Sequence, residues 1–407
     1  MTVELSTSAI DPANPQGQLS PAIAETLVRV GARGMIEPHL AVVWQHEADY
    51  KRWRFSLRPK VFFHDGEALN ATNAAPGLLA ALKKKYSDVT ITAGGQTLVL
   101  QFEHAVPELL AELTRPEMAL IRKSDTNSVL GTGPFRLTAW EPGRRLTLAA
   151  FDDYWGGRPF LDSVAITFGT GPTRADVFDI PFGSTRRVVP EGTRIWSSQP
   201  SELIALVAAN PQSTLLQALS LAIDRVPIVN VLTQRRGEAA FGILPQWLSG
   251  FAFLFQSAPD IPRARQLISQ LRLPAISLTY AANDAFARSV AERVALNARD
   301  AGITIQPTTN PGGSLTLVRW PLESADASVE LGRFLDFIGA RDRVSSIDPA
   351  KPESLFEAER ALLDEHRVIP LVYIPALYGL GPRVHSWVGA AKLYPLRLSL
   401  ENLWVDP

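Results

Sequence analysis

Residues 275–305, AISLTYAANDAFARSVAERVALNARDAGITI, decide the fold class of this chain. The first six residues form a short apolar and β-branched run that is typical of a strand. The amphipathic segment from Asp284 to Asp300 predicts a helix, which Gly302 ends before a second strand begins at Ile303. A strand, a helix and a strand in this order predict a parallel pair joined by a right-handed crossover. The stretch therefore indicates an α/β protein.

The α/β pattern continues on both sides of this stretch. Upstream, an apolar stripe at helical spacing from Leu215 to Ile223 predicts a helix, and Pro227 opens a second one. Downstream, residues 352–366 predict a helix, and the apolar run 368–374 predicts a buried strand. The sequence contains no internal repeat and no low-complexity linker.

The first 200 residues predict strands and short helices separated by frequent turns. Residues 52–58 alternate polar with apolar side chains, which is typical of a half-buried strand. The pair Asp65-Gly66 suits a tight turn, and Thr72-Asn73 predicts the cap of a helix that runs to Tyr86. Further strands are predicted at 96–102, 145–148 and 163–168. Because the pattern changes near residue 200, we place a lobe boundary there.

The composition of the 407-residue chain indicates a globular protein of two or three domains. Hydrophobic residues make up 46% and charged residues 20%, which argues against long disordered segments. The 40 Lys and Arg and 41 Asp and Glu leave a net charge of -1, so we expect no nucleic acid partner. The absence of cysteine excludes disulfide, thiolate-zinc, iron–sulfur and cysteine-nucleophile chemistry.

The sequence carries neither a membrane span nor a recognisable leader. No apolar run reaches the roughly 18–20 residues that a spanning helix needs. Met1 stands directly before a predicted strand, without a signal peptide. We therefore expect either a cytoplasmic protein or a mature extracytoplasmic form whose leader is removed.

The sequence shows no residue constellation typical of an enzyme. It lacks a G-x-S-x-G elbow, a Walker loop and a G-x-G-x-x-G motif between a strand and a helix. None of the six His forms the i, i+4 pair of a helix-borne zinc site. His64 and Asp65 are adjacent, but neighbours in a strand point to opposite faces, so a turn-stabilising role is favoured. We expect no catalytic residue, metal or cofactor; a triad assembled only in space stays the alternative.

Several segments spread along nearly the whole chain form a series in a fixed order. The most specific are Pro38–Ala41, Trp53–Pro59 and Val61–Gly66. The others, in chain order, are Leu5–Ala13, Ala24–Val28, Gly131–Phe135, Tyr154–Gly157, Leu221–Arg225, Ile369–Leu371 and Trp387–Gly389. Together they resemble the family 5 extracellular solute-binding proteins of ABC importers, the group of oligopeptide, dipeptide and nickel binders.

The resemblance implies a two-lobed periplasmic-binding-protein-like fold (type II, class C-like) with a hinge between the lobes. The first lobe core comprises residues 1–19, 128–200 and 371–407, with an extra subdomain at 20–127. The second lobe, residues 201–370, is shortened relative to the family. The ligand is then enclosed between the lobes, and binding shifts the population toward the closed shape that the transporter recognises.

The resemblance also implies a ligand site. The family loop Gly-Trp-x-x-Asp-Tyr appears here as Arg319–Ser324, in which Trp320 is a stacking wall for the ligand. Glu323, with Asp326 as a competitor, matches the acid that receives the ammonium group in peptide binders. The loss of the family's glycine and aspartate weakens a peptide assignment. The ligand-binding residues implied are Trp320, Glu323, Glu25, Thr26, Leu27, Phe182 and Trp247. The alternatives are core packing for Trp320 and Phe182, a solvated loop for Glu323, a helix N-terminal turn for residues 25–27 and shielding of the hinge for Trp247.

We therefore expect a monomeric, periplasmic or extracellular protein that captures a small-molecule or peptide ligand and delivers it to a membrane permease. Two alternatives are the solute-sensing module of a cytoplasmic transcription regulator and a hydrolase. The ligand class stays open among peptides, opine-like sugar conjugates, metal chelates and oligosaccharides.

Overall fold

The chain divides into two compact units. The computed structural model describes residues 1–6, 20–31, 35–123, 129–169, 173–183, 189–210, 213–271, 274–348, 351–387 and 400–406. The first unit contains Met1–Ile180, Arg187–Ser198 and Leu377–Pro407, and the second contains Pro181–Arg186 and Gln199–Ala376.

The described strands and helices follow one another in a mixed α/β order. The strands are β1 Thr2–Leu5, β2 Val28–Val30, β3 Ile36–Pro38, β4 Ala41–His46, β5 Arg52–Leu57, β6 Thr90–Gly94, β7 Thr97–Gln101, β8 Arg122–Lys123, β9 Val129–Leu130, β10 Phe135–Glu141, β11 Arg145–Ala150, β12 Ser163–Phe168, β13 Val177–Asp179, β14 Arg194–Ala208, β15 Glu238–Ala239, β16 Ile276–Thr279, β17 Ile305–Thr308, β18 Leu315–Pro321, β19 Val368–Leu380, β20 Val384–His385 and β21 Trp404–Val405. The helices are α1 Ser20–Ile23, α2 Ala71–Leu82, α3 Leu109–Leu113, α4 Ser213–Ala222, α5 Gln246–Ser249, α6 Ile261–Ile268, α7 Ala285–Asp300, α8 Ala327–Phe337 and α9 Pro352–Asp364. Strands β14 and β19 each have residues in both units.

The first unit contains two main sheets. One has the order β10-β11-β12-β1-β13-β19, in which β1 is parallel to both of its neighbours. The other is antiparallel with the order β4-β5-β7-β6, and its apolar face packs with helix α2 in a cluster of its own. In β5 the exposed Arg52 and Arg54 alternate with the buried Trp53 and Phe55, so the predicted alternation is confirmed.

The second unit is built on one sheet with the order β15-β19-β14-β18-β16-β17. Strand β16 is parallel to β17 and β18, whereas β14 runs antiparallel to β18. Leu317 belongs to an apolar cluster that includes helix α7, and the next residue, Val318, belongs to a cluster that includes helix α8. Because neighbouring strand residues point to opposite faces, α7 and α8 cover opposite faces of the sheet.

The predicted strand–helix–strand unit is confirmed as β16, α7 and β17, with β16 and β17 parallel. Helix α7 begins where it does because the Asp284 side chain accepts the backbone N–H of Ala287 at 2.9 Å. It ends before Gly302, whose φ of +88° is a conformation that favours glycine. Phe286 and Val290 on its inner face pack in the same cluster as Leu278 of β16.

One predicted helix start was wrong. Helix α2 is capped by Asn70 and not by Thr72-Asn73, and it ends at Leu82 and not at Tyr86. Asn70 Oδ1 accepts the N–H of Asn73 at 3.0 Å, while Asn73 Oδ1 accepts the N–H of Asn70 at 2.9 Å. This reciprocal capping box satisfies two backbone donors, so the helix begins at Ala71, directly after its cap Asn70.

The remaining sequence expectations have mixed outcomes. The predicted buried strand at 368–374 is present and continues to Leu380 as part of β19. The turn expected within Leu5–Ala13 and the end of the segment Trp387–Gly389 lie outside the described residues. Within the described ranges, no helix combines the length and apolar character needed to cross a membrane.

Candidate functional site

Charged and aromatic side chains lie at the edge of the second unit that the carboxyl ends of β16 and β18 form. In open α/β sheets, ligands bind outside the carboxyl ends of parallel strands. The chain leaves β16 at Thr279 and enters α7 at Ala285, so the amino end of that helix lies at the same edge. The part of β14 that belongs to the second unit begins at this same edge, because Glu202 lies opposite Pro321, the last residue of β18.

On the α7 face of this edge, Arg319 is held by two carboxylates. Its Nε and Nη2 donate to the two oxygens of Glu202 at 2.7 and 2.6 Å, and its Nη1 donates to Asp284 Oδ2 at 2.8 Å. Desolvation alone would lower the pKa of Arg319, but the hydrogen bonds and charges of Glu202 and Asp284 raise it above its ordinary value. The guanidinium is therefore permanently charged and fixed in orientation, with its side chain 36% exposed.

Phe182, a residue expected at the ligand site, lies beside the first turn of α7. Its ring centre is 5.5 Å from that of Phe286. The next residue, Gly183, has a φ of +74°, and a Cβ there would come within 2.6 Å of the Phe286 backbone. Only glycine fits this approach, which fixes Phe182 next to the helix that carries Asp284.

On the α8 face, Trp320 is largely buried and hydrogen-bonded. Its indole Nε1 donates to Glu330 Oε1 at 2.7 Å, and its ring lies 5.4 Å from Phe334 and 5.0 Å from Phe337. The residue retains 9% exposure. Core packing thus accounts for most of the surface of Trp320.

Glu330 fixes both Trp320 and the turn that follows β18. Its Oε2 accepts the backbone N–H of Glu323 at 3.0 Å and of Ser324 at 2.9 Å, and the side chain is fully buried. Arg333, one turn later on α8, donates from Nη1 to both oxygens of Glu330 and from Nη2 to Glu323 Oε2 at 2.5 Å. Glu323 is therefore an ion-pair partner of Arg333 in this structure.

Trp247 and Ser201 complete this side of the edge. Trp247 donates from Nε1 to the carbonyl of Pro200 at 2.9 Å, and the carbonyl of Ser201 accepts the N–H of Leu322 at 2.8 Å. Trp247 packs against the apolar cluster that contains Trp320. The structure thus brings three expected site residues, Trp247, Trp320 and Glu323, into one region. The buried Ser201 Oγ has no hydrogen-bond partner among the described residues.

Asp326, the competitor of Glu323, is a helix cap. Its Oδ1 accepts the N–H groups of Ser328 and Val329 at 2.8 and 3.1 Å, and also the hydroxyl of Ser328. These bonds satisfy the first amide groups of α8. The role of Asp326 is explained by helix initiation.

The expected site residues of the first unit are buried. Glu25 accepts hydrogen bonds from Thr132 Oγ1 and Tyr154 Oη, both at 2.8 Å, and from Trp155 Nε1 at 2.9 Å, and pairs with His39 Nε2 at 3.0 Å. Burial opposes ionisation, but the charge and hydrogen bond of His39 and the other donors lower the pKa of Glu25 below its ordinary value. Glu25 is thus a buried carboxylate that holds four segments together.

Thr26 and Leu27 continue the buried segment. Thr26 Oγ1 donates to the carbonyl of Val28 at 2.7 Å, and the Leu27 side chain is fully buried in the core around β5. The carbonyls of Thr26 and Leu27 accept the N–H groups of Leu40 and Ala41. The side chains of these two residues therefore face the protein interior.

The sequence favoured a role for His64 in its own His-Asp-Gly turn, but its ring bonds to the distant segment Gly131–Gly133. Its Nε2 lies 3.0 Å from the carbonyl of Gly133, and its Nδ1 accepts the N–H of Gly131 at 3.3 Å. Burial lowers the pKa of His64, so the ring is neutral at pH 7. Among the described residues, no group of three or more His, Asp or Glu is placed to hold a metal ion.

Sequence reasoning missed the groups that organise the edge, which are Arg319, Glu202, Asp284, Glu330 and Arg333. Glu330 and Arg333 are three residues apart, as expected for an ion pair on a helix, and this spacing was a usable signal. The partnership of Arg319 with Glu202 depends on the register of β14 against β18, across 117 residues of sequence.

Comparison with known proteins identifies similar sequences for part of the chain. Residues 35–179 match the model of bacterial extracellular solute-binding proteins, family 5 Middle. The nickel-binding protein NikA of Staphylococcus aureus is 32% identical over 178 residues, which are 41% of this chain and 36% of that protein. The chain thus spans about a third of the length of this relative. The transcriptional regulator SgrR of Salmonella typhimurium is 31% identical over 156 residues, 35% of this chain and 28% of the regulator.

Comparison with solved structures covers the whole chain. NikA from Staphylococcus aureus in complex with Ni(L-His)2 gives a TM-score of 0.84 at 18% identity, covering 100% of this chain and 99% of that chain. DppA from Helicobacter pylori in complex with the peptide STSA gives a TM-score of 0.82 at 14% identity, covering 100% and 98%. The likeness confirms the predicted two-lobed periplasmic-binding-protein-like fold.

Proposed function

We propose that this chain is a bacterial extracellular solute-binding protein of family 5, which captures a small solute outside the cytoplasm and delivers it to the permease of an ABC importer. The observation that carries the proposal is the edge of the second unit at which Trp320 and the fixed guanidinium of Arg319 lie on opposite faces of one strand end. Rigid aromatic and charged groups at the carboxyl ends of parallel strands suit the orientation of a polar solute.

We assign the solute contacts of the second unit to Trp320, Glu323, Trp247 and Phe182. The geometry supports these roles because each residue is held in place by a neighbour that is itself buried or hydrogen-bonded. In the first unit, the segment Glu25–Leu27 is proposed to act through its backbone shape, since its side chains are buried. The four-stranded sheet β4–β7, with its own apolar cluster, is proposed to be the extra subdomain of the first lobe.

The solute class is proposed to be a small polar molecule. NikA is in complex with Ni(L-His)2 and DppA with the peptide STSA in their solved structures. Arg319 in this chain offers a fixed cation at the carboxyl end of β18. We propose binding without catalysis, because family members are binding proteins, and we propose a periplasmic or extracellular location by the same argument.

The test is native mass spectrometry of the protein purified from its own host, followed by thermal-shift screening with dipeptides, tripeptides, nickel–histidine complexes and opines. We expect a co-purifying small molecule, and the same compound should raise the Tm of the wild type. Trp320→Phe should weaken the response, whereas Trp140→Phe, a change at a half-exposed position in the first unit, should leave it intact. The proposal would be contradicted if no small molecule co-purifies and no compound in the panel raises the Tm.

A second candidate function is a solute-sensing module of a transcription regulator, which the partial likeness to SgrR favours. The genomic sequence upstream of Met1 distinguishes the two: a leader peptide supports the importer, and a DNA-binding domain supports the sensor. Turnover of an ester, peptide or glycoside would instead support a hydrolase.

A further inference from the structure

Three groups on the α8 face converge on one point with the chemistry of a cation site. The indole ring of Trp320 presents a π face, which attracts cations. The carboxylates of Glu323 and Glu330 lie beside it, linked by the hydrogen bonds that Glu330 makes to Trp320 Nε1 and to the Glu323 N–H. Two carboxylates and an indole face form a receptor for an ammonium or guanidinium group.

The protein supplies that cation itself. The Arg333 guanidinium carbon lies 4.9 Å from the centre of the Trp320 ring. Its Nη2 donates to Glu323 Oε2 at 2.5 Å, and its Nη1 donates to the oxygens of Glu330 at 2.8 and 2.7 Å. Only 13% of the Arg333 side chain is exposed. Every element of the receptor is thus in contact with an internal guanidinium.

The position of Arg333 is fixed by the start of its helix. Asp326 caps α8, and the carboxylate of Glu330 then lies one turn before Arg333 on the same helix face. The helix therefore fixes the position of the Arg333 guanidinium beside Glu330.

We infer that Arg333 is a specificity-determining residue: it fills the cation receptor of Trp320, Glu323 and Glu330, so that solutes with an ammonium or guanidinium group at this point are excluded. The inference rests on the proposed function, because it takes Trp320 and Glu323 as the residues that face the solute. If the inference holds, the solute carries a neutral or anionic group at this point, because Arg333 already occupies the place of a cation.

The experiment empties the receptor and refills it with methylguanidinium. Wild type, Arg333→Ala and the control Arg341→Ala, whose parent side chain is 68% exposed, are melted with millimolar methylguanidinium chloride or with sodium chloride at equal ionic strength. We expect Arg333→Ala to melt lower than the wild type. Methylguanidinium at tenfold excess over its Kd should then raise its Tm by about 2 °C relative to sodium chloride. Wild type and Arg341→Ala should show no such difference.

Each other outcome overturns the inference. No methylguanidinium-specific rise in Arg333→Ala means that the three groups do not form a receptor for a free cation. An equal rise in the wild type means that Arg333 does not close the receptor. If Arg333→Ala fails to fold, Arg333→Met retains the aliphatic packing on Trp320, and the yield of refolding with and without methylguanidinium gives the same decision. The result needs no physiological solute, so the two failures can be told apart: a failed solute search contradicts the proposed function, whereas a failed methylguanidinium test contradicts the filling of the receptor by Arg333.

Discussion

Glu359 is a buried carboxyl group that should give the second unit a pronounced dependence of stability on pH. Its Oε1 accepts the backbone N–H groups of Ile243 at 2.5 Å and Leu244 at 3.0 Å. Its Oε2 has no hydrogen-bond partner within the described part of the chain. Burial raises the pKa of Glu359 to about 7, against the two backbone hydrogen bonds, which lower it.

The sign follows from comparison with the unfolded chain, in which this carboxyl has the ordinary pKa of 4.5. The folded state keeps the proton to a higher pH, so stability is full below about 4.5 and is lost as the pH rises toward about 7. Above that value the loss stays constant. At about 1.4 kcal/mol per pKa unit, the total is about 3 kcal/mol, of which roughly 2 kcal/mol falls between pH 5 and 8.

The perturbation is Glu359→Gln, which keeps an acceptor for the two N–H groups and cannot ionise. The free energy of unfolding in urea is measured for wild type, this variant and Glu357→Gln, an exposed position on the same helix. From pH 5 to 8 we expect Glu359→Gln to gain about 2 kcal/mol relative to the wild type, or about 2 °C in Tm for a chain of this length. A difference that stays constant across this range would refute the reasoning, because it would show that Glu359 does not titrate within it.

Three further predictions concern backbone strain, a buried carboxylate and an ion pair. Gly183→Ala should lower the free energy of unfolding by about 2–4 kcal/mol, because of its φ of +74° and the approach to Phe286, whereas Gly192→Ala, with a φ of +79° and open space, should lose only about 1 kcal/mol. Urea titration compares them, and equal losses would contradict the steric argument. Glu25→Gln should lose about 2–3 kcal/mol at pH 7. Since the folded pKa of Glu25 is lowered, its stabilisation is present above about 4.5 and is lost as the pH falls through the folded pKa, so the two proteins should converge in acid. Arg319→Met should lower the free energy of unfolding by about 1–3 kcal/mol, because Glu202 and Asp284 lose the guanidinium that donates to them. The control Arg288→Met, at an exposed ion pair, should lower it by under about 1 kcal/mol. Similar losses in the two variants would show that the Arg319 ion pair stabilises the protein no more than an exposed one does.

The elements that could be predicted from the sequence are those whose signal is local. Strand β5 shows its alternation in six consecutive residues, and α7 carries its cap at Asp284 and its stop at Gly302 within one stretch. The start of α2 was misplaced because Asn70 and Asn73 are both good caps, and only the reciprocal bond between them decides. Local signals therefore give element type better than element boundaries.

The candidate site was only partly accessible from the sequence, because its partners are distant in the chain. Trp320 and Glu323 were identified through their loop, but the pairing of Glu323 with Arg333 needs the helix to turn back toward the strand. Glu25 was expected at the ligand site, and its carboxylate bonds to Thr132 and Tyr154, which lie 107 and 129 residues away, could not be predicted from the sequence. Such long-range bonds depend on tertiary packing, to which residue spacing gives no guide.

Strands β14 and β19 each contribute residues to both units. The division between the units passes within β14 after Ser198 and within β19 after Ala376. The second unit and both of these strands lie within the uninterrupted stretch 181–380, whereas the first unit is assembled from three separate stretches of the chain. No uninterrupted gene fragment that leaves out the second unit can therefore encode the whole of the first unit.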